Sequence, residues 1–324
     1  MLNLFRRIGF ACAFVGLLFY STAAFARGAT SLSRDSITVT VTALAPKDAP
    51  APVIPQEDVT AFSGATRLKV TRWLRAQANE ANLQLAVLID NDIGITMMGE
   101  QMQDLANFIN SQPPSTSVGV FYAENGSATA AIRFTKDHAA AADSLRLTMG
   151  RQGESPSVYL SLSDLVSHWP SSGVARREVL VIASGFDPLY PGVEDPYAES
   201  TIDATERAGI NVHTILVPSA RYAETFRDDL SEGKLIQVTT GAGGQVLFDG
   251  AFVPISLAPF LNQLNVVLKN QYLLTFAIDR DRKKGGELRP FRVQTEEHSV
   301  KLYAAKQVLV PGPSQLPPND PLPR

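Results

Sequence analysis

Three nearly continuous apolar runs, Leu83–Ile89 (LQLAVLI), Glu178–Ser184 (EVLVIAS) and Ile210–Val217 (INVHTILV), are the strongest constraint on how this chain folds. A strand with one face in water alternates apolar and polar residues. A run that is apolar throughout must be covered on both faces, which is the condition of a central strand in a parallel sheet. Helix-length segments lie between these runs. Met98, Met102, Leu105 and Ile109 recur at helical spacing before Pro113-Pro114. Asp195-Pro196 supplies an N-cap and a first-turn proline for a helix to Ala208, which Gly209 closes. Strand and helix thus alternate from 83 to about 270, predicting an α/β fold: a doubly wound, mostly parallel sheet with helices on both faces.

The remaining elements follow the same logic. Val118–Glu124 and Thr129–Thr135 flank an Asn125-Gly126 turn and read as a hairpin, so the second of them is the antiparallel edge. Asp137 caps an alanine-rich helix expected to end near Gly150. A helix over Val158–Trp169, another near Arg221–Ile236 ahead of Thr239–Gly244, a short strand Gln245–Phe248 and a last helix through Leu257–Leu268 complete the core. Outside it, Ser36–Leu44, Val59–Phe62 and Leu68–Arg75 precede the core, and Tyr272–Ile278, Pro290–Thr295 and Val300–Leu309 follow it, all strand-like. These outlying strands find no partners in the core pattern, and pairing with one another makes a small β annex of the two ends.

The start of the chain sets the compartment. Arg6 and Arg7, the uncharged apolar run Ile8–Tyr20 and Ala24-Phe25-Ala26 have the form of a leader cut after Ala26. The run is short of the roughly 20 apolar residues of a membrane span. The expected organisation is a signal peptide (1–26), an N-terminal β segment (27–82), the α/β domain (83–270), a C-terminal β segment (271–310) and a proline-rich tail (311–324). The mature chain is expected in the periplasm or outside the cell, with no span left after cleavage. Cleavage also removes Cys12, the only cysteine, and with it any disulfide, thiol nucleophile or thiolate metal site. Net charge moves from −3 to −5, without basic clusters, which argues against nucleic acid as a partner.

No enzymatic set emerges. His138, His168, His213 and His298 have no metal-ligand spacing, and Ser184-Gly185 lacks the glycine pattern of a nucleophile elbow. The glycines of Gly241–Gly244 precede a strand instead of opening a helix, and no Lys-Ser/Thr follows. Asn125-Gly126-Ser127 is explained by the hairpin turn, and Arg280–Lys284 by a solvated loop.

An apolar strand ending in Asp90, a helix, a hairpin and three strand–helix units resembles the von Willebrand factor type A fold. Ile54–Phe62 (IPQEDVTAF), Arg176–Ser184 (ARREVLVIAS as Ala175–Ser184), Thr239–Phe248 (TTGAGGQVLF) and Leu268–Phe276 (LKNQYLLTF) resemble bacterial exported proteins related to that domain. The resemblance implies a protein-interaction module, and a metal-ion-dependent adhesion site built from an Asp-x-Ser-x-Ser loop, a distant Thr and a distant Asp. This sequence departs from that pattern. Asp90-Asn91-Asp92-Ile93-Gly94 keeps only the leading Asp, Ser157 stands for the Thr, and Ser184 stands for the distant Asp, with Asp187 following. Two readings stay open. In one, Asp92 replaces the missing charge, and Asp90, Asp92, Ser157, Ser184 and Asp187 hold Mg²⁺ or Mn²⁺ for a metal-dependent adhesion module. In the other, the site is degenerate, any Mg²⁺ or Mn²⁺ binding is weak, and a non-catalytic interaction domain meets a protein or envelope component without metal. A hydrolase in an unfamiliar site is the third class.

Overall fold

The computed structural model describes residues 34–46, 52–93, 99–148, 157–170, 173–174, 176–187, 189–190, 194–217, 226–249, 254–279 and 286–312. The expected leader, Gly94, Gly150, the basic run 280–284 and most of the tail lie outside them. The described residues belong to one compact unit.

The core sheet takes β4 (Leu83–Asp90), β5 (Thr116–Glu124), β6 (Ser127–Thr135), β7 (Arg176–Ala183), β8 (Asn211–Leu216) and β9 (Val246–Phe248) in the order β6-β5-β4-β7-β8-β9. Its pairs are parallel except β5–β6, which turns at Asn125-Gly126 with both residues in the left-handed region (φ 51° and 72°). Every residue of β4 is buried, and its two faces enter different cores. Leu83, Leu85, Val87 and Ile89 pack with Leu105 and Ile109 of α1 (Gly99–Asn110), Ala141 of α2 (His138–Asp143) and Leu261 and Leu264 of α6 (Ala258–Lys269). Ala86 and Leu88 pack with Tyr159 and Leu162 of α3 (Val158–Ser167), Ala198 of α4 (Pro196–Ala208) and Leu235 and Val238 of α5 (Phe226–Gly241). The continuous apolar run is thus the signature of a strand between two helical layers.

Helix ends explain two corrections. Asp137 caps α2 by accepting the Ala140 N–H (3.0 Å), but α2 stops at Asp143, not near Gly150. The Ser144 hydroxyl donates back to Ala141 O (2.7 Å), and the chain is then drawn onto the core by Tyr122, whose hydroxyl donates to Arg146 O (2.6 Å) and accepts its N–H (2.7 Å). Thr239–Gly241 belong to α5, which runs past Ile236: the Thr239 hydroxyl donates to Leu235 O (2.8 Å) inside the helix. The glycines that follow serve close packing. A Cβ on Gly244 would lie 1.7 Å from Val212 O, and Gly243 (φ +81°) leaves room for the Ala304-Ala305 backbone.

The annex joins both ends of the chain. β1 (Arg34–Leu44), β2 (Val59–Ser63), β3 (Thr66–Arg75), β10 (Gln271–Asp279), β12 (Arg292–Thr295) and β13 (Lys301–Tyr303) form an antiparallel sheet in the order β12-β2-β3-β10-β1-β13. β11 (Glu287–Pro290) pairs with β14 (Gln307–Val310). The two C-terminal runs expected as single strands are therefore each divided. Pro290 has no N–H to continue a ladder, and Phe291 turns inward to stack on Phe276 (5.1 Å between ring centres). Trp73 stacks on Tyr272 at 4.3 Å and donates its indole N–H to Ile54 O (2.9 Å), tying the proline-rich segment to the annex core.

A buried polar network joins annex to core. Arg176 donates to Gln271 Oε1 (2.7 and 3.0 Å), Leu268 O (2.8 Å) and Ala81 O (3.0 Å). Glu178, fully buried, accepts from Gln271 (2.9 Å), Asn211 (3.3 Å) and His213 Nε2 (2.8 Å). His213 Nδ1 accepts the Gln245 N–H (3.1 Å), so Nε2 carries the ring proton and the imidazole is neutral. Burial lowers the Arg176 pKa, and the Glu178 charge opposes that shift.

Candidate functional site

The C-terminal ends of β4 and β7 open toward the N-termini of α3 and α4, the edge where a doubly wound sheet places its ligands. Asp90 ends β4 and is 5% exposed. Its Oδ1 accepts the Asp92 N–H (3.0 Å), which turns the chain out of the strand. Burial, reinforced by the nearby Asp92 charge and opposed by that hydrogen bond, raises the Asp90 pKa to about 7. Asn91 anchors the same loop sideways: it donates to Glu124 (2.8 Å) and accepts from Arg146 (3.1 Å), which also reaches Glu124 (2.5 Å) and lies over the Tyr122 ring.

Ser157 is the N-cap of α3, its hydroxyl accepting the Leu160 N–H (3.4 Å). Ser184 follows β7 and accepts the Phe186 N–H (3.2 Å). Asp187 is almost fully buried; Oδ1 accepts the Leu189 N–H (2.8 Å), while among the described residues no hydrogen bond reaches its buried Oδ2. Burial raises the Asp187 pKa, with the neighbouring Ser157 hydroxyl and the Leu189 N–H pulling it back and the Asp195 charge raising it further. Gly94 falls outside the described residues. The structure therefore gathers Asp90 with Asp92, and Ser157 with Asp187, at one edge.

Three residues of this edge, Asp195, Lys234 and Tyr159, were not read from the sequence as part of a site. Asp195 caps α4 through Oδ1, which accepts the Tyr197 and Ala198 N–H groups (3.0 and 3.1 Å). Its Oδ2 faces the Lys234 ammonium of α5 at 3.6 Å, and Lys234 also donates to Tyr190 O (3.3 Å). Tyr159, buried on α3, donates to Gly185 O (2.8 Å). Burial and the charges of Asp195, Asp187 and Asp90 together push its phenol well above the ordinary range, so all three carboxylates lie within electrostatic reach of one hydroxyl. Asp195 carried a sequence signal, but only as a cap. Around this acidic edge, Leu189 (41% exposed) and Tyr190 (38%) reach solvent, and Tyr190 meets Tyr197 edge to face at 5.0 Å.

The oxygens present are of the hard type that Mg²⁺ prefers, but Mg²⁺ requires near-octahedral geometry at about 2.0–2.1 Å. Here Asp90, Ser157, Ser184 and Asp187 each commit an oxygen to a local backbone N–H. Among the described residues, no three His, Cys, Asp or Glu side chains converge closely enough to hold a metal ion.

Comparison with protein-family models and with curated proteins gives no match. Solved structures that are similar include BatB from Bacteroides thetaiotaomicron, at 16% identity over 58% of this chain and 98% of that one, with a TM-score of 0.39. The SpRpn10 VWA domain is similar at 12% identity over 58% and 97%, with a TM-score of 0.38. The ArnB paralog VWA2 from Sulfolobus acidocaldarius is similar at 9% identity over 86% and 76%, with a TM-score of 0.36. At such values the fold assignment rests on the strand order itself. A parallel sheet β5-β4-β7-β8-β9 with an antiparallel hairpin edge and helices on both faces is a doubly wound α/β core, consistent with the von Willebrand factor type A-like fold expected from the sequence.

Proposed function

We propose that this chain is an exported, non-catalytic protein-interaction module that meets its partner with the edge around Asp90, Ser157, Ser184 and Asp187, and does so without a tightly held metal. The observation that carries this reading is the local use of the site's oxygens: four of the five candidate side chains, all but Asp92, turn and cap their own backbone, as Asp and Ser do in Asx turns and N-caps. Lys234 beside Asp195 supplies a fixed positive charge to the acidic edge. Leu189 and Tyr190, exposed next to Asp187, give a partner an apolar and an aromatic contact, and tyrosine is among the residues enriched at interface hot spots. The partner is expected to be a protein or envelope component. Among the described residues no helix is long and apolar enough to cross a membrane.

The metal-dependent alternative draws support from the buried Asp187 Oδ2, which accepts no hydrogen bond among the described residues. Crosslinked capture from envelope extract separates the readings. A partner retained in chelator and lost in Leu189→Ser/Tyr190→Ala supports the proposal; a partner lost in chelator and restored by Mn²⁺ sinks it.

A further inference from the structure

The outward face of the annex sheet carries cations that the rest of the fold does not use. Register places Arg67 of β3, Phe62 of β2 and Arg292 of β12 in one row across three adjacent strands. Arg292 lies over the Phe62 ring at 4.7 Å, and Arg67 donates to Thr60 Oγ1 (3.3 Å). Neighbouring strands are about 4.8 Å apart, so the two guanidiniums flank one ring within roughly 10 Å of each other. Lys69, two residues along β3, points to the same face. Among the described residues none of these three cations has a carboxylate ion-pair partner. Asp58 and Glu296 line a neighbouring pocket with Arg67 and Lys301 without pairing to Arg67 among the described residues, and Glu287 is engaged with Arg289 (2.6 Å).

Beside this row, Ser63, Thr66, Arg67, Lys69 and Arg289 line a pocket of about 360 Å³ at the β2–β3 turn. Hydroxyls together with guanidinium and ammonium donors are the set that phosphate oxygens accept from.

We propose that this corner of the annex binds phosphate-bearing anions, and that their source is the headgroups of an anionic lipid surface. The donors stand on an exposed sheet face instead of in an enclosed cavity, which suits an array of phosphates more than one small ion. This inference does not depend on the interaction edge of the core.

Titration of the full chain onto phosphatidylcholine vesicles with and without phosphatidylglycerol tests it, the neutral vesicles accounting for the apolar N-terminal run. Three surface cations predict a preference of about tenfold or more for the anionic vesicles, weakened by salt. Arg67→Glu/Lys69→Glu, and the milder Arg67→Gln/Lys69→Gln, are expected to abolish or reduce that preference with unchanged circular dichroism. Equal affinity for the two vesicles, or a preference that survives charge reversal, overturns the site. Saturable binding of inorganic phosphate without preference for phosphatidylglycerol overturns the headgroup assignment.

Discussion

Replacing Asp90 with asparagine separates a carboxylate that the fold merely tolerates from one that a metal needs. Asp90 is 5% exposed, and burial moves its pKa from an ordinary 3.8 to about 7. The native state therefore binds this proton more tightly than the unfolded state does across that interval. Stability falls as pH rises through the interval, and the loss is complete above pH ~7. About three pH units at 1.36 kcal/mol each set an upper limit of about 4 kcal/mol. Asparagine keeps the shape and an Oδ1 able to accept the Asp92 N–H (3.0 Å in the wild type). Its new amide donor costs roughly 1–2 kcal/mol if buried without a partner. Asp90→Asn should thus be neutral or slightly destabilising near pH ~4 and more stable than wild type by about 2–3 kcal/mol near pH ~8. Urea denaturation in chelator across this range, with the m-value checked for constancy, reads the difference directly. A variant less stable than wild type at the alkaline end, or a difference that does not change with pH, would refute the reasoning.

Other expectations follow from packing and the buried network. Glu178→Ala strands the buried Arg176 and leaves the donors from Gln271, Asn211 and His213 without their acceptor, so a loss of about 3–5 kcal/mol is expected in denaturant titration. A loss under about 1 kcal/mol would mean that water enters this junction. Val87→Asp places a carboxylate at a fully buried position of β4 and should cost several kcal/mol, whereas deletion beyond Gly312 should leave the melting temperature unchanged. Gly244→Ala puts a methyl group against Val212 O and is expected to destabilise the β8–β9 edge, visible as faster amide exchange in Val246–Phe248. N-terminal sequencing from the native host should find Arg27 first; an intact Met1 would contradict export with cleavage.

The sequence was informative where one element's chemistry suffices. Leu83–Ile89 announced a doubly covered strand, Asn125-Gly126 a hairpin, and Asp195-Pro196 with Gly209 both ends of α4, because each signal is local. It was silent where a partner lies far along the chain. Glu178 and Gln271 are 93 residues apart, so nothing in either neighbourhood marked their junction. α2 stops early because Tyr122, on another strand, captures the Arg146 backbone. Thr239–Gly241 sat too near a glycine run to read as helix, although Thr239 bonds back within α5. At the site, Asp90 and Asp187 were found by position in a known pattern. What they do with their oxygens was legible only in three dimensions, and Lys234 became visible only once α5 was packed beside α4.

Calorimetric titration of the purified protein with Mn²⁺ and Mg²⁺ tests the central claim most directly. The local engagement of the candidate oxygens predicts binding no tighter than the millimolar range, about −4 kcal/mol, and little change when Asp90 or Asp187 becomes alanine. Micromolar affinity that disappears in both Asp90→Ala and Asp187→Ala would show that the loops close around a cation after all, and the metal-dependent adhesion reading would replace the one proposed.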